Sequence, residues 1–106
     1  MRIFIITSTR ADFGLLKNLI IGLKKNKKFK TKLIATGSHF YSKFGNTFNE
    51  IKKSDIKIYK KIKLQFKHDD EISISKIISN SITQTSKVLK KLPPDLLIVL
   101  GDRYEI

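Results

Sequence analysis

Apolar residues follow two kinds of pattern along the chain. Short runs of mainly β-branched, aromatic or other apolar residues occupy residues 2–7 and 96–100, which is typical of buried strands. Residues 31–36 are predicted to form a second strand. Residues 55–63 begin with alternating apolar and polar positions, as in a more exposed strand. Between these runs the apolar residues recur at helical spacing. The pattern therefore predicts four strands separated by helices.

A helix is predicted after each of the first two strands. In the first of these helices, Phe13, Leu16 and Ile20 recur on one face, and Asp12 stands where we expect an N-cap. Several lysines follow at its carboxyl-terminal end, where cations suit the helix dipole. The second helix is expected over residues 47–53.

The third predicted helix is the longest. Asp69 or Asp70 can cap its start, and Pro93 and Pro94 stop it. Its apolar residues fall on or near one stripe, with Ile77 and Thr85 beside it: Ile74, Ile78, Ile82, Leu89 and Leu92.

The alternation of strands and helices indicates an α/β protein with a Rossmann-like parallel sheet and right-handed crossovers. A doubly wound sheet that begins in this way has the spatial order 3-2-1-4, so strands one and four are neighbours. Ligands of such sheets bind at the carboxyl ends of the strands, where the order reverses. The loops at 8–12 and 101–105 should therefore face each other, and we predict a site between them.

The formal net charge of +13 raises the possibility of a nucleic-acid partner. Of the 22 basic residues only Arg2, Arg10 and Arg103 are arginine, whereas base readout and bidentate phosphate binding favour arginine. The lysines lie at helix ends and beside strands. We therefore interpret them as a solvated surface and expect no nucleic-acid partner, although the charge would still attract anionic substrates.

Cysteine is absent, which excludes disulfides, cysteine-ligated metals and thiol nucleophiles. No apolar run approaches the roughly 20 residues that span a bilayer. The amino-terminal residues also lack a signal-peptide cleavage site. These features together favour a cytoplasmic protein with no membrane partner.

Charged residues in the loops that follow the strands are the candidates for a site. Arg10 could bind a phosphate together with the N–H groups of the helix start, and a plain surface arginine is the alternative. Asp102 is either a general acid or base or an orienting carboxylate, and the alternatives are a helix N-cap or an ion-pair partner of Arg103. Glu105 could contact a ligand or simply begin a helix.

The two histidines are weaker candidates. His39 follows the second strand, where a histidine can touch a ligand or be merely solvated. His68 has two aspartates beside it, which helix capping explains better than a metal site does, so no metal is predicted. The chain carries neither the G-x-G-x-x-G dinucleotide fingerprint nor a P-loop.

Four motifs in series resemble one family. They are "TSTRADFG" after the first strand, "TGSH" after the second, "FGNT" shortly beyond it, and "GDRYE" after the fourth. Together they are similar to the amino-terminal part of the hydrolysing UDP-N-acetylglucosamine 2-epimerases. Ala11 and Arg103 favour the branch of that family that supplies sialic-acid-like nonulosonate sugars in bacteria.

The resemblance implies a two-domain, GT-B-like fold. Residues 1–106 would form an incomplete amino-terminal Rossmann-like domain, and the second domain would be absent from this chain. The implied reaction eliminates UDP, or GDP in some relatives, from a nucleotide-linked N-acetylamino sugar. Water then adds to give a C2-inverted free sugar, such as N-acetylmannosamine or a diacetamido relative, with no NAD, metal or other cofactor. The full-length protein is expected to be a homo-oligomer.

The resemblance also assigns roles to residues. Asp102 matches the catalytic carboxylate, and Arg10 falls on the nucleotide side of the cleft. His39, Arg103 and Glu105 are expected to contact the nucleotide sugar as well.

We expect the 106 residues alone to be a fragment that is marginally stable and catalytically inactive. The strand at 96–100 would be an apolar sheet edge, and uncovered edges favour aggregation. The alternative is a small Rossmann-like module that binds anions or nucleic acid through its lysines without catalysis. Such a module would lose affinity steeply with salt and would depend little on Arg10.

Overall fold

The structure is a computed structural model that describes residues 1–40, 48–65, 68–101 and 103–106. The "FGNT" motif and the predicted catalytic residue Asp102 lie outside these ranges. The elements in chain order are β1 (Arg2–Thr7), α1 (Arg10–Lys25), β2 (Lys30–Thr36), a 3-10 turn (Gly37–Phe40), α2 (Phe48–Lys53), β3 (Ile58–Ile62), α3 (Glu71–Lys91) and β4 (Leu96–Val99).

The four strands form one parallel sheet in the order β3-β2-β1-β4, which confirms the predicted topology. Ile6 of β1 pairs with Ile34 on one side and with Val99 on the other. These three strands therefore end at nearly the same level, and the loops that follow them meet at one edge of the sheet.

The helices cover both faces of the sheet. On one face, Phe13, Leu16 and Ile20 of α1 pack with Ile51 of α2 against inward residues of β1 and β2, as the first helical stripe predicted. On the other face, α3 packs over Phe4 and its neighbours. Each fully buried side chain of this kind contributes on the order of 1.5–3 kcal/mol to folding.

The predicted stripe of α3 is wrong in part. The residues of α3 that are buried are Ile77, Ser81 and Val88, with Leu89 and Leu92 packed beside them, whereas Ile82 is 63% exposed. Helix α3 packs over the side of the sheet that carries β3. The face of α3 that contacts the sheet is therefore turned away from β4. Ile82 instead lines a cavity of about 360 Å³ between α3 and β4.

The third strand is shorter than predicted. It begins at Ile58 because Asp55 has a φ of +60°, a left-handed conformation that interrupts extended backbone. Ile56 is nevertheless buried against the α1 face, as its place in the alternating pattern indicated. At the opposite side of the sheet, β4 forms an edge with Leu96 and Val99 about half exposed.

Candidate active site at the carboxyl edge

One buried carboxylate organises the turn from β1 into α1. Asp12 Oδ2 accepts hydrogen bonds from Ser8 N and from Ser8 Oγ, both at 3.0 Å. Thr9 N donates to the same carboxylate at 3.1 Å, and Asp12 N donates to Thr9 Oγ1 at 3.2 Å. The hydroxyl of Thr7 completes the set by donating to Oδ1.

The prediction that Asp12 is the N-cap residue of α1 is therefore wrong. Thr9 is the N-cap, with the extended backbone that a cap needs, and Asp12 is the N3 residue of a capping box. The reason is that Asp12 already lies inside the first helical turn, where its side chain folds back over the residues before the helix. The Thr9-x-x-Asp12 spacing is the sequence signal that identifies this arrangement.

His39 is fully buried on the turn after β2. Its Nε2 lies 2.9 Å from Thr7 Oγ1 and 4.0 Å from Asp12 Oδ1, and its ring meets the ring of Phe13 edge-on. Burial lowers the pKa of His39 from 6.5 to about 4, against the weaker raising effects of the Asp12 and Glu50 charges. The imidazole is therefore neutral at pH 7.

Glu105 joins the loop after β4 to the same region. Its side chain is buried; Oε1 accepts a hydrogen bond from Arg103 Nε at 2.7 Å, and its backbone oxygen accepts one from Ser81 Oγ. Gly37 lies against it with a φ of +65°, and a Cβ there would stand 3.1 Å from Glu105 Oε1 and from Ser8. Only glycine allows the three loops to approach this closely.

The two candidate arginines are more accessible. The Arg10 side chain is 71% exposed and forms an ion pair with Glu50 of α2 at 2.9 Å. Exposed ion pairs of this kind contribute about 0–1 kcal/mol to folding stability. A ligand anion can therefore replace Glu50 as the partner of Arg10 with little loss of free energy. Arg103 is partly buried, and its guanidinium lies 5.3 Å from the centre of the Tyr104 ring.

The structure confirms that the loops at 8–12 and 101–105 meet. A Cβ at Gly101, the residue before Asp102, would lie 3.7 Å from Asp12 Oδ2. We call the buried polar residues at this edge the edge cluster: Thr7, Ser8, Asp12, His39 and Glu105. The sequence analysis placed His39 and Glu105 in a site but missed the part played by Thr7 and Asp12.

The residues around His68 show the capping that the sequence indicated. Asp70 is the N-cap of α3 and accepts a hydrogen bond from Ser73 N at 3.0 Å. Within the described ranges, histidine and acidic side chains form no group of three or more that could hold a metal ion. None of the helices described is long and apolar enough to cross a membrane.

Fold and edge cluster together define the class of the protein. A parallel sheet of this order binds its ligand at the carboxyl ends of the strands beside the switch point, which lies between β1 and β4. The edge cluster and both candidate arginines occupy that place. The chain is thus a Rossmann-like α/β protein with a preorganised polar site.

Comparison with known proteins identifies the family. The family model described as UDP-N-acetylglucosamine 2-epimerase matches residues 22–106. The chain belongs to the UDP-N-acetylglucosamine 2-epimerase family.

Two curated relatives match almost all of the chain. The GDP/UDP-N,N'-diacetylbacillosamine 2-epimerase (hydrolyzing) of Campylobacter jejuni is 40% identical over 105 residues, which are 99% of this chain and 27% of that protein. The UDP-N-acetylglucosamine 2-epimerase of Neisseria meningitidis serogroup B is 32% identical over 104 residues, 98% of this chain and 27% of the relative. The chain therefore spans little more than a quarter of their length.

A solved structure shows the same fold. The UDP-GlcNAc 2-epimerase of Neisseria meningitidis, in complex with UDP-GlcNAc, superposes with a TM-score of 0.79 at 21% identity. The match covers 99% of this chain and 27% of that chain. It confirms the prediction that the sheet has the architecture found in GT-B-like 2-epimerases.

Proposed function

We propose that residues 1–106 form part of the amino-terminal domain of a hydrolysing nucleotide-sugar 2-epimerase. In this proposal a second domain of the full-length protein faces the edge cluster across a cleft. The observation that carries the proposal is that the edge cluster joins the loops of β1, β2 and β4 at the switch point of a 2-epimerase family member. The activities for which these relatives are named support the same reaction.

The proposed reaction is an elimination followed by an addition. The proton at C2 of the N-acetylamino sugar is removed, the C1–O bond breaks, and UDP or GDP leaves with the bonding electrons. Water then adds oxygen to C1 and a proton to C2 on the opposite face, which gives the C2-inverted free sugar. Because no atom undergoes a net change of oxidation state, the reaction needs no hydride carrier.

The substrate class follows from the relatives. We propose a UDP- or GDP-linked N-acetylamino sugar, and the name of the relative at 40% identity supports a diacetamido sugar. The product would then enter the synthesis of sialic-acid-like sugars. We further propose that the full-length protein is cytoplasmic and homo-oligomeric.

We propose that Asp102 is the catalytic carboxylate and that Arg10 and Arg103 bind the nucleotide diphosphate. Arg10 lies in the first turn of α1, where N–H groups and the helix dipole also favour an anion. Glu105 orients Arg103 through the 2.7 Å bond to its Nε. Two arginines and a helix start would thus meet the diphosphate at one edge of the sheet.

The roles of His39 and Glu105 as direct contacts to the substrate stay predictions. Both side chains are buried under the loops of the edge cluster, at 0% and 4% exposure. Their burial supports an indirect role, in which His39 holds the loop after β2 and Glu105 holds Arg103. A neutral His39 would in any case offer no positive charge to the diphosphate at pH 7.

The proposal is tested by UDP binding to a chimera in which this chain replaces the matching segment of the Campylobacter jejuni relative. Calorimetry is expected to show that Arg10→Ala raises the Kd for UDP roughly 10- to 150-fold, because a charged hydrogen bond contributes about 1.5–3 kcal/mol. The matched control is Arg2→Ala, which removes the same charge at the opposite end of β1, where Arg2 Nη1 donates to Pro93 O. The control should leave the Kd within about two-fold.

The opposite result would favour the alternative function, a small module that binds anions through its lysines without catalysis. In that case Arg10→Ala and Arg2→Ala would weaken binding equally and slightly, and the affinity would fall steeply with salt in both variants. A specific arginine effect that persists at higher salt supports the nucleotide site.

A further inference from the structure

Three buried side chains form a chain of hydrogen bonds across the edge cluster. Thr7 is the last residue of β1, Asp12 lies in the first turn of α1, and His39 stands on the turn after β2. Thr7 Oγ1 stands between the other two, donating to Asp12 Oδ1 and lying 2.9 Å from His39 Nε2. None of the three side chains is more than 5% exposed.

The donor and acceptor roles within this hydrogen-bond chain follow from the number of hydrogens available. A threonine hydroxyl has one hydrogen to donate, and here that hydrogen goes to the carboxylate. Thr7 Oγ1 must therefore accept the hydrogen of His39 Nε2. The carboxylate at one end thus fixes the tautomer of the imidazole at the other, with the hydrogen on Nε2.

The same carboxylate also fixes the neighbouring loops. Asp12 accepts from the backbone N–H groups of Ser8 and Thr9, which come directly before Arg10. A Cβ added at Gly101, the residue before Asp102, would lie 3.7 Å from Asp12 Oδ2, so the carboxylate also stands beside the loop that follows β4. The hydrogen-bond chain therefore holds the segment before the proposed diphosphate-binding residue Arg10 and stands beside the segment that leads to the proposed catalytic residue.

We propose that Thr7 and Asp12 are positioning residues, and that the His39–Thr7–Asp12 chain sets the placement of the loop with Asp102 relative to the bound sugar. This inference rests on the proposed function. Its consequence is kinetic: a carboxylate that acts on a C–H bond tolerates little displacement, and about 1 Å can cost 10²-fold in rate. Diphosphate binding by the exposed side chain of Arg10 is less sensitive to the same displacement.

Thr7→Val in the active chimera tests this inference, since valine keeps the shape and removes the hydroxyl. We expect kcat to fall roughly 10- to 100-fold while KM changes by less than about three-fold. Thr7→Ser retains the hydroxyl and should restore kcat to within about three-fold of the parent.

Thr36→Val is the matched control. Thr36 ends the neighbouring strand and is equally buried, but its Oγ1 has no hydrogen-bond partner among the described residues. Replacing such a hydroxyl should leave kcat within about two-fold. Equal kcat values for Thr7→Val and Thr36→Val, or a loss with Thr7→Val that appears only in KM, would overturn the inference.

A second readout does not depend on turnover. Nitrogen-15 spectra of the histidine rings in the chimera are expected to show His39 with its hydrogen on Nε2 at pH 7, and Thr7→Val should shift that resonance while Thr36→Val should not. A hydrogen on Nδ1 alone would overturn the inference whatever the activity. If the chimera lacked turnover but showed this tautomer and shift, the proposed function would fail and the hydrogen-bond chain would stand.

Discussion

Asp12→Ala is expected to lower the free energy of unfolding of the chain by roughly 3–5 kcal/mol. The carboxylate is almost fully buried and accepts hydrogen bonds from Ser8, Thr9 and Thr7. Alanine would remove the acceptor that these mostly buried donors share. Small domains have only about 5–15 kcal/mol of stability, so urea unfolding followed by circular dichroism should show a large fall in the midpoint.

Asp70→Ala is the matched control for this measurement. Asp70 also accepts hydrogen bonds at a helix start, from Ser73 N and Ser73 Oγ, but it is exposed at the surface. Water can replace it there, so a clearly smaller loss is expected. Equal losses in the two variants would show that the buried carboxylate contributes no more than a surface cap.

Lowering the pH from 7 to 4 is expected to remove roughly 3 kcal/mol of folding stability through His39. Burial lowers the pKa of His39 to about 4 in the folded chain, whereas the unfolded value is 6.5. As the pH falls below 6.5, the unfolded state takes up a proton that the folded state does not accept. The stability contribution is therefore complete above about pH 6.5, is lost progressively below it, and levels off near pH 4.

The measurement is the free energy of unfolding in urea as a function of pH for the parent chain, His39→Gln and His68→Gln. His39→Gln should lose the part of the slope between pH 6.5 and 4 that comes from the imidazole, even though the substitution itself destabilises the fold. His68→Gln changes the other histidine of the chain, which is exposed ahead of α3, and should keep the parent slope. A His39→Gln slope equal to the parent slope between pH 6.5 and 4 would contradict the account.

Most of the fold was predictable from the sequence because its determinants are local. β1 is a run of mainly apolar residues, and α1 has one apolar stripe that begins at a capping box, so both follow from local sequence patterns. The strand order then follows from the handedness of the crossovers. The stripe of α3 was not predictable in the same way, because Ile77 and Ile82 both fit a helical pattern and only the position of the helix over the sheet buries one of them.

The place of the site was predictable, but its internal hydrogen bonds were not. The switch-point rule located the loops that carry Arg10 and Arg103. The bond between Thr7 and His39 spans 32 residues of sequence, and no periodic pattern reports a contact at that distance. The burial of His39 has the same origin, since its loop position alone suggests exposure.

The most direct test of the central claim is the product formed by the folded chimera in D₂O from a UDP-linked N-acetylamino sugar. Proton NMR is expected to show UDP together with a free sugar that is inverted at C2 and carries deuterium there, because the proposed elimination and addition exchange that hydrogen with solvent. A chimera that binds UDP but releases a sugar with its original C2 hydrogen and configuration, or releases none, would contradict the claim.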